Sequence, residues 1–423
     1  MLTKLQDIRK MSEKHERLET LINRVNYDSL LSEHIRQNPK KAKGIDGVSK
    51  EEYGKNLEEN LKNLVSNMKK FSYRPKPVLR TYIPKPNGDL RPLGIPSYED
   101  KLVQGVMGDI LTQVYEPRFL ECSYGFRPGR GQHQAIKKIN DLIMHKRVNY
   151  ILDCDIKSFF DNVDHSWLVK FLEHDIADKN FIRYIVRIIR SGIVEDGIYR
   201  KSEKGVAQGE LISPVLSNVY LHYVLDLWFE KRIKKELKGE AYLVRFADDF
   251  VIMFEHEEEA CKVYSKLEER LKVFGLELAK EKSRILPFGR NSKSDETFDF
   301  LGFNHFNSKT RRGYYSVGHK VAKKKVKMFK ARLKEWLKNN RNVLKFVELM
   351  NKLNIKLTGV YRYYGINGTI PYLRALHSHA LFTTFKWLNR RSQRKSFALD
   401  KFLRVWNVMI RPPRIYVNIW YAQ

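Results

Sequence analysis

YLVRFADDFVIMF, residues 242–254, places two adjacent carboxylates, Asp248 and Asp249, between two strongly apolar, strand-like runs. That pattern predicts a hairpin with the acids at its tip. Neighbouring like charges repel, and holding them between apolar strands is costly unless a cation neutralises them. An Asp-Asp turn alone is ordinary turn chemistry. It gains weight from a second segment, YILDCDIKSFFDNVDH at 150–165, where an apolar strand carries Asp153 and Asp155 two residues apart and therefore on one face. Carboxylates delivered from two places can converge on two metal ions about 3.5–4 Å apart, an arrangement that supports in-line phosphoryl transfer. All-oxygen ligands suit magnesium, which keeps several waters and takes substrate phosphates as well.

The rest of the composition points to a polyanionic partner. The 423 residues include 79 Lys and Arg against 49 Asp and Glu, a formal charge of +30 and far more than solubility requires. With 42% apolar residues the chain is long and hydrophobic enough for two to four packed units, so disorder is excluded as its main state. No apolar stretch reaches the length of a membrane span, and Met1 to Leu21 is highly charged with no apolar signal core, so a cytoplasmic protein with no membrane partner is expected. Cys122, Cys154 and Cys261 form no CxxC pair, which argues against a zinc module or a disulfide framework and predicts three buried free thiols.

Changes of pattern mark the organisation. Residues 1 to about 70 read as helices broken by the turn-rich KGIDGVS at 43–49, and VLRTYIPKPNGDLRPLGIP at 78–96 reads as a hairpin turning at Asn87-Gly88. Helical spacing follows over 99–146, and the centre alternates strands and helices. From 311 to 345 there are thirteen Lys or Arg and a single acid, Glu335. Within that stretch Ala322, Val326, Phe329, Leu333 and Trp336 recur at intervals of four and three, describing one apolar stripe on an otherwise basic helix. The near absence of acids removes the intrahelical pairing usual on a solvated charged face and favours RNA contact.

FADD at 246–249 resembles the YADD box of reverse transcriptases, and DIKSFFDNVDH at 155–165 resembles the first palm motif of the group II intron branch of that family. The resemblance spans nearly the whole chain. GIDGVS at 44–49 is similar to the family's N-terminal extension, IPKPNGDLRPLGIP at 83–96 and SYGFRPGRGQHQAI at 123–136 to its fingers motifs, and GVAQGELISPVLSN at 205–218 to its Gln-Gly motif. KEKSR at 280–284 is similar to a later palm motif and FLGF at 300–303 to the primer-gripping hairpin, while GVYRYYG at 359–365 and FKWLNRRSQRKSF at 385–397 are similar to thumb phrases of the intron proteins.

The resemblance implies an α+β right-hand polymerase. Its parts are an N-terminal extension over 1–75, fingers and an antiparallel-cored palm over 76–304, and an α-helical thumb or maturase domain over 305–423, without a His-Asn-His endonuclease. It makes Asp155, Asp248 and Asp249 the ligands of two magnesium ions and leaves Asp153, Asp161 and Asp164 as structural or helix-capping acids. It places Lys85, Arg91 and Arg127 toward the incoming triphosphate, Phe160 against the 2′ position of its sugar, Gln208 and Gly209 at the nascent base pair and Lys282 near the leaving phosphate. Phe159 is expected in the core. Lys323, Lys324, Lys325, Lys327, Arg390, Arg391 and Arg394 become RNA-binding candidates. Tyr361, Tyr363, Tyr364 and Trp387 either stack on bases or pack among thumb helices. Three positions depart from the family pattern: Ala207 stands for Pro, Glu210 for a second Gly and Phe246 for Tyr. Glu210 is the least expected, because it sets a carboxylate beside phosphates.

The activity implied is RNA-directed DNA synthesis together with maturase assistance to intron splicing and mobility. The partners implied are an RNA template, intron RNA, a DNA primer or target and deoxynucleoside triphosphates, in a cytoplasmic ribonucleoprotein with no small-molecule cofactor beyond the metal. The alternatives are a domesticated or defence-associated reverse transcriptase that has left its intron, and a splicing cofactor that binds RNA without polymerising.

Overall fold

A computed structural model describes residues 2–84, 89–391 and 397–420. Eleven strands are assigned among them: β1 Val78–Pro84, β2 Leu90–Ile95, β3 Tyr150–Asp155, β4 Ile193–Glu195, β5 Ile198–Arg200, β6 Ala241–Phe246, β7 Asp249–Phe254, β8 Arg284–Pro287, β9 Thr297–Phe300, β10 Phe303–Lys309 and β11 Tyr315–Val321. They form sheets ordered β2-β1-β4-β5, β6-β7-β3-β8 and β11-β10-β9, interspersed with helices, which makes the chain α+β as expected. No helix among the described residues is long and apolar enough to cross a membrane.

The chain packs as two compact units, one of Met1–Gly131, Cys154–Ile252 and Glu258–Arg284, the other of Gln132–Asp153, Met253–Glu257 and Ile285–Gln423. Three consecutive segments were expected. A boundary at 304 would cut β10, a single strand paired with β9 on one side and β11 on the other.

In the first unit the hairpin expected over 78–96 is present, with Leu79 opposite Ile95 through Pro84 opposite Leu90. Its tip, Lys85 to Gly88, lies outside the described residues. Val78 and Leu79 pair in parallel with Ile193 and Val194, joining β1 to β4. The helix Tyr98–Tyr115 is buried on nearly every side, including its polar residues Asp100, Lys101 and Gln104, as a helix at the centre of a unit must be. Asp164 accepts the backbone N–H of Trp167 at 2.9 Å and so caps the helix His165–Asp175, the role expected of it.

In the second unit the helices Lys323–Asn340, Phe346–Tyr364, Ile370–Leu388 and Leu399–Met409 close on a core that includes Leu333, Leu353, Leu357, Tyr361 and Trp406. Val326, Phe329 and Trp336 pack partly buried against it, so the predicted stripe is real; Ala322 precedes the helix as its N-cap instead of lying along it. Cys122 and Cys154 are buried as expected, whereas Cys261 sits on the exposed face of the helix Glu257–Val273.

Candidate active site

β6 and β7 are consecutive neighbours joined at Ala247 and Asp248, so the two carboxylates do sit at a hairpin tip. Ala247 has φ 56, a left-handed conformation that tightens the turn. Gly125 lies against this turn so closely that a Cβ on it would come within 2.4 Å of the Ala247 nitrogen, which explains the glycine. The Gly125 carbonyl accepts Asn218 Nδ2 at 2.7 Å, and Asn218 Oδ1 in turn accepts Arg245 Nη1 at 3.0 Å. Arg245 is wholly buried. It bonds Asp226 through Nε at 2.7 Å and Nη2 at 2.5 Å, and it donates to the Ala247 carbonyl at 3.0 Å and to Ser123 Oγ at 2.9 Å. The β6–β7 turn is therefore anchored from beneath by an arginine that the motif resemblance did not single out, although a charge inside the apolar run YLVRF was the visible signal.

Asp155 ends β3 and Asp249 begins β7. The Asp248 carboxyl is held above the usual carboxylate range, first by burial and then by the negative charge of Asp155; Arg91 and Arg245 pull the other way. Hence Asp155, Asp248 and Arg91 are close enough to feel one another, which brings a predicted triphosphate ligand to the predicted acids. Lys282 Nζ donates to Asp155 Oδ2 at 2.6 Å, and the bond to Asp155 raises the Lys282 pKa, with Asp249 adding to it. Among the described residues no three Asp, Glu, His or Cys side chains stand close enough together to enclose a cation. What the carboxylates show is their need for positive charge, which Lys282 meets at Asp155.

A cleft of about 610 Å³ has Phe160, Ala207 and Glu210 in its wall. Phe159 is buried, as expected, while Phe160 is half-buried and packs edge-on against it at 5.4 Å. The Gln-Gly loop docks on β2: the Gly94 N–H donates to the Gln208 carbonyl at 2.6 Å, and Gly209 adopts φ +106, where an added Cβ would meet the Gly94 oxygen at 2.7 Å. A side chain there would be strained twice over.

Glu210 corrects an expectation. It is 4% exposed, and its Oε1 accepts Gln104 Nε2 at 2.7 Å, while Gln104 Oε1 receives the Leu211 N–H at 3.1 Å. Burial pushes its carboxyl up to about 8, so at neutral pH it is mostly protonated and sets no negative charge beside a phosphate. The sign of its effect on stability follows. The folded chain keeps a proton that the unfolded chain releases above its ordinary value of 4.5, so stability falls as pH rises from there and levels off above about 8. Glu210→Gln, which preserves the bond to Gln104, is expected to match the wild-type melting temperature near pH 5 and to exceed it increasingly up to pH 8.5. Parallel melting profiles would show that Glu210 does not titrate in this window.

Arg127 is a second correction. It is 5% exposed, paired with Glu116 at 2.9 and 3.1 Å, and bonded to the Leu120 and Ser123 carbonyls at 2.7 and 2.9 Å. Its guanidinium is spent on folding its own loop. Lys85 and Arg394 lie outside the described residues.

In the second unit Lys323, Lys324, Lys325 and Lys327 are exposed along the helix Lys323–Asn340. Arg390 and Arg341 both lie over the Trp387 ring, at 5.6 and 4.6 Å, and the Arg391 pKa is lowered first by burial and then by Arg341. Of the aromatic candidates, Tyr361 is core, with its hydroxyl 2.8 Å from His377 Nδ1. Tyr363 and Tyr364 pack on Phe303, at 6.0 and 5.2 Å. Packing, not base stacking, accounts for these three.

Residues 83–305, just over half the chain, match the family of reverse transcriptases (RNA-dependent DNA polymerases). The chain belongs to that family. Protein YkfC of Escherichia coli K12 is 31% identical over 325 residues, which are 69% of this chain and 82% of that protein. The group II intron-encoded protein LtrA of Lactococcus lactis is 32% identical over 308 residues, covering 58% of this chain and 50% of LtrA. A 91 kDa protein in the cob intron of Schizosaccharomyces pombe is 34% identical over 182 residues, covering 43% of this chain and 22% of that protein.

Proposed function

We propose that this chain is a magnesium-dependent RNA-directed DNA polymerase of the group II intron type, with fingers and palm over 76–304 and a helical thumb over 305–423. The observation that carries the reading is the meeting of Asp155 with Asp248 at a buttressed hairpin tip, beside Arg91 and Lys282. Asp155, Asp248 and Asp249 would hold two magnesium ions, which when bound lower the pKa of the primer 3′-hydroxyl and neutralise charge on the leaving pyrophosphate. Arg91, exposed on β2, offers the triphosphate a planar fork. The Lys282 ammonium, bonded to Asp155, would turn to the departing phosphate oxygens. The loop carrying Gln208 and Gly209 sets one wall of the nucleotide site through its bonds to Gly94, and Phe160 fills the space that a ribose 2′-hydroxyl would need.

RNA binding by the second unit, the maturase part of the reading, rests on the exposed lysines of its basic helix, on Arg341 and Arg390 over Trp387, and on Arg391 near Arg341. The main reason to favour a domesticated enzyme was the charge of Glu210, and its burial removes that reason.

The test is extension of a DNA primer on an RNA template with deoxynucleotides and magnesium. Templated product is expected from the wild type, and its absence overturns the reading. In the same assay Phe160→Ala is expected to raise the relative efficiency of ribonucleotide addition by on the order of a hundredfold, since a steric clash worth a few kcal/mol is removed. Unchanged discrimination in single-addition kinetics removes Phe160 from the role of gate.

A further inference from the structure

Away from the acids, the first unit gathers three arginines on an aromatic platform. Phe71 follows the helix Leu57–Lys69 in a left-handed conformation, φ 58, which turns its carbonyl and its ring toward the helix Lys179–Ile189. Its carbonyl accepts Arg74 Nη1 at 2.6 Å and Arg187 Nη1 at 3.0 Å, and the Tyr73 carbonyl accepts the same two atoms at 3.2 and 3.0 Å. Arg183 lies 4.7 Å over the Phe71 ring, and Arg187 lies 5.1 Å over Tyr184, whose ring stacks on Phe71. Tyr184 is itself fixed by a bond from its hydroxyl to the Met68 carbonyl at 2.6 Å.

Among the described residues none of the three forms an ion pair with a carboxylate, and the Arg187 pKa is lowered first by burial and then by Arg74 and Arg183. Arg183 and Arg187 are moreover four residues apart on one helix, where like charges are unfavourable. A guanidinium has five N–H donors. Carbonyl bonds take one nitrogen each of Arg74 and Arg187, and ring stacking takes none, so most of the donors remain available from forks already held in place. Arg74 and Arg183 are exposed and Arg187 is half-buried. The two segments that carry the cluster run directly into the paired ends of β1 and β4, where the Val78 N–H donates to the Gly192 carbonyl at 3.0 Å.

We propose that Arg74, Arg183 and Arg187 form a phosphodiester-binding site for an RNA strand, separate from the catalytic acids. The site rests on the reading of this chain as an RNA-copying enzyme and adds a second hold on the RNA at the base of the sheet β2-β1-β4-β5. Guanidinium forks match phosphate oxygens, and the aromatic platform supplies orientation without competing for the donors.

The test compares wild type with Arg74→Gln/Arg183→Gln, two exposed positions whose loss leaves the Arg187 bonds in place. Binding of the full chain to a labelled single-stranded RNA of about forty nucleotides is measured as a function of salt. Each single-strand phosphate contact contributes about 0.7 to the slope of log affinity against log salt, so the loss of two lowers it by about 1.4. The wild-type advantage is then expected to shrink about sevenfold between 50 and 200 mM salt. Arg74→Lys/Arg183→Lys, which keeps the charges, should retain most of the slope. An equal slope in the Gln variant overturns the proposal, as does a rise in the KM for deoxynucleotide with RNA binding unchanged, which would assign the cluster to free triphosphate. Failure of templated synthesis by the wild type would strike the polymerase reading alone, because the salt slope is measured without catalysis.

Discussion

Asp248→Asn is expected to slow extension of a DNA primer on an RNA template by roughly a thousandfold or more while leaving the metal-free protein at least as heat-stable as the wild type. The two effects have one cause. Burial and the charge of Asp155 disfavour the ionised Asp248, so its folded pKa is raised. Without a cation the fold is penalised by the charged form: stability is lost as pH rises from the unfolded carboxylate value through the raised folded one, and the loss is complete above it. Asparagine keeps the shape of the turn and removes that penalty. In EDTA the melting temperature of the variant should therefore equal or exceed that of the wild type. Magnesium should raise the wild-type value by binding the folded state and leave the variant nearly unmoved. Substantial synthesis by the variant would place the metal site elsewhere, and a marked loss of stability in EDTA would make Asp248 a structural acid.

What could be read from the sequence was what local pattern or a shared motif encodes. Two apolar runs flanking an adjacent pair of acids foretold the β6–β7 hairpin with its acids at the tip, and the stripe through Val326, Phe329, Leu333 and Trp336 foretold the buried face of a basic helix. The family resemblance held. Failures came where a residue's meaning depends on a partner distant in sequence. Glu210 read as a misplaced charge because Gln104, 106 positions away, is invisible to local pattern. Arg127 read as a phosphate ligand because its motif is fingers-like, yet Glu116 and two carbonyls absorb the guanidinium. Local pattern also says nothing of which distant segments share contacts, and here each compact unit is assembled from segments far apart in the chain. The role of Arg245 depends likewise on Asp226, 19 positions away.

Arg245→Met should have the largest effect on folding. Arg245 and Asp226 are both fully buried, and Asp226 is carried by the π-helical turn His222–Asp226, bonded to the strand that enters the β6–β7 hairpin. Removing the guanidinium strands a carboxylate with no water to solvate it, at a cost of about 3–5 kcal/mol. Arg245→Met/Asp226→Leu removes both charges and should recover a good part of that loss, so the double-mutant cycle in urea unfolding is expected to show strong positive coupling. Recovery will be incomplete, because Asn218 Oδ1, the Ala247 carbonyl and Ser123 Oγ still lose a partner. The same loss separates positioning from mere stability. In the refolded double variant the turn at Ala247–Asp248 has lost the bond from beneath, and a displacement of an ångström at the acids costs on the order of a hundredfold in rate. kcat should fall by about that factor, with KM for deoxynucleotide changing little, because Arg91 lies on a different sheet from this network. If the double variant is stable and keeps wild-type kcat, the pair serves the fold alone; if it is as unstable as the sum of the single changes, the two charges do not support each other.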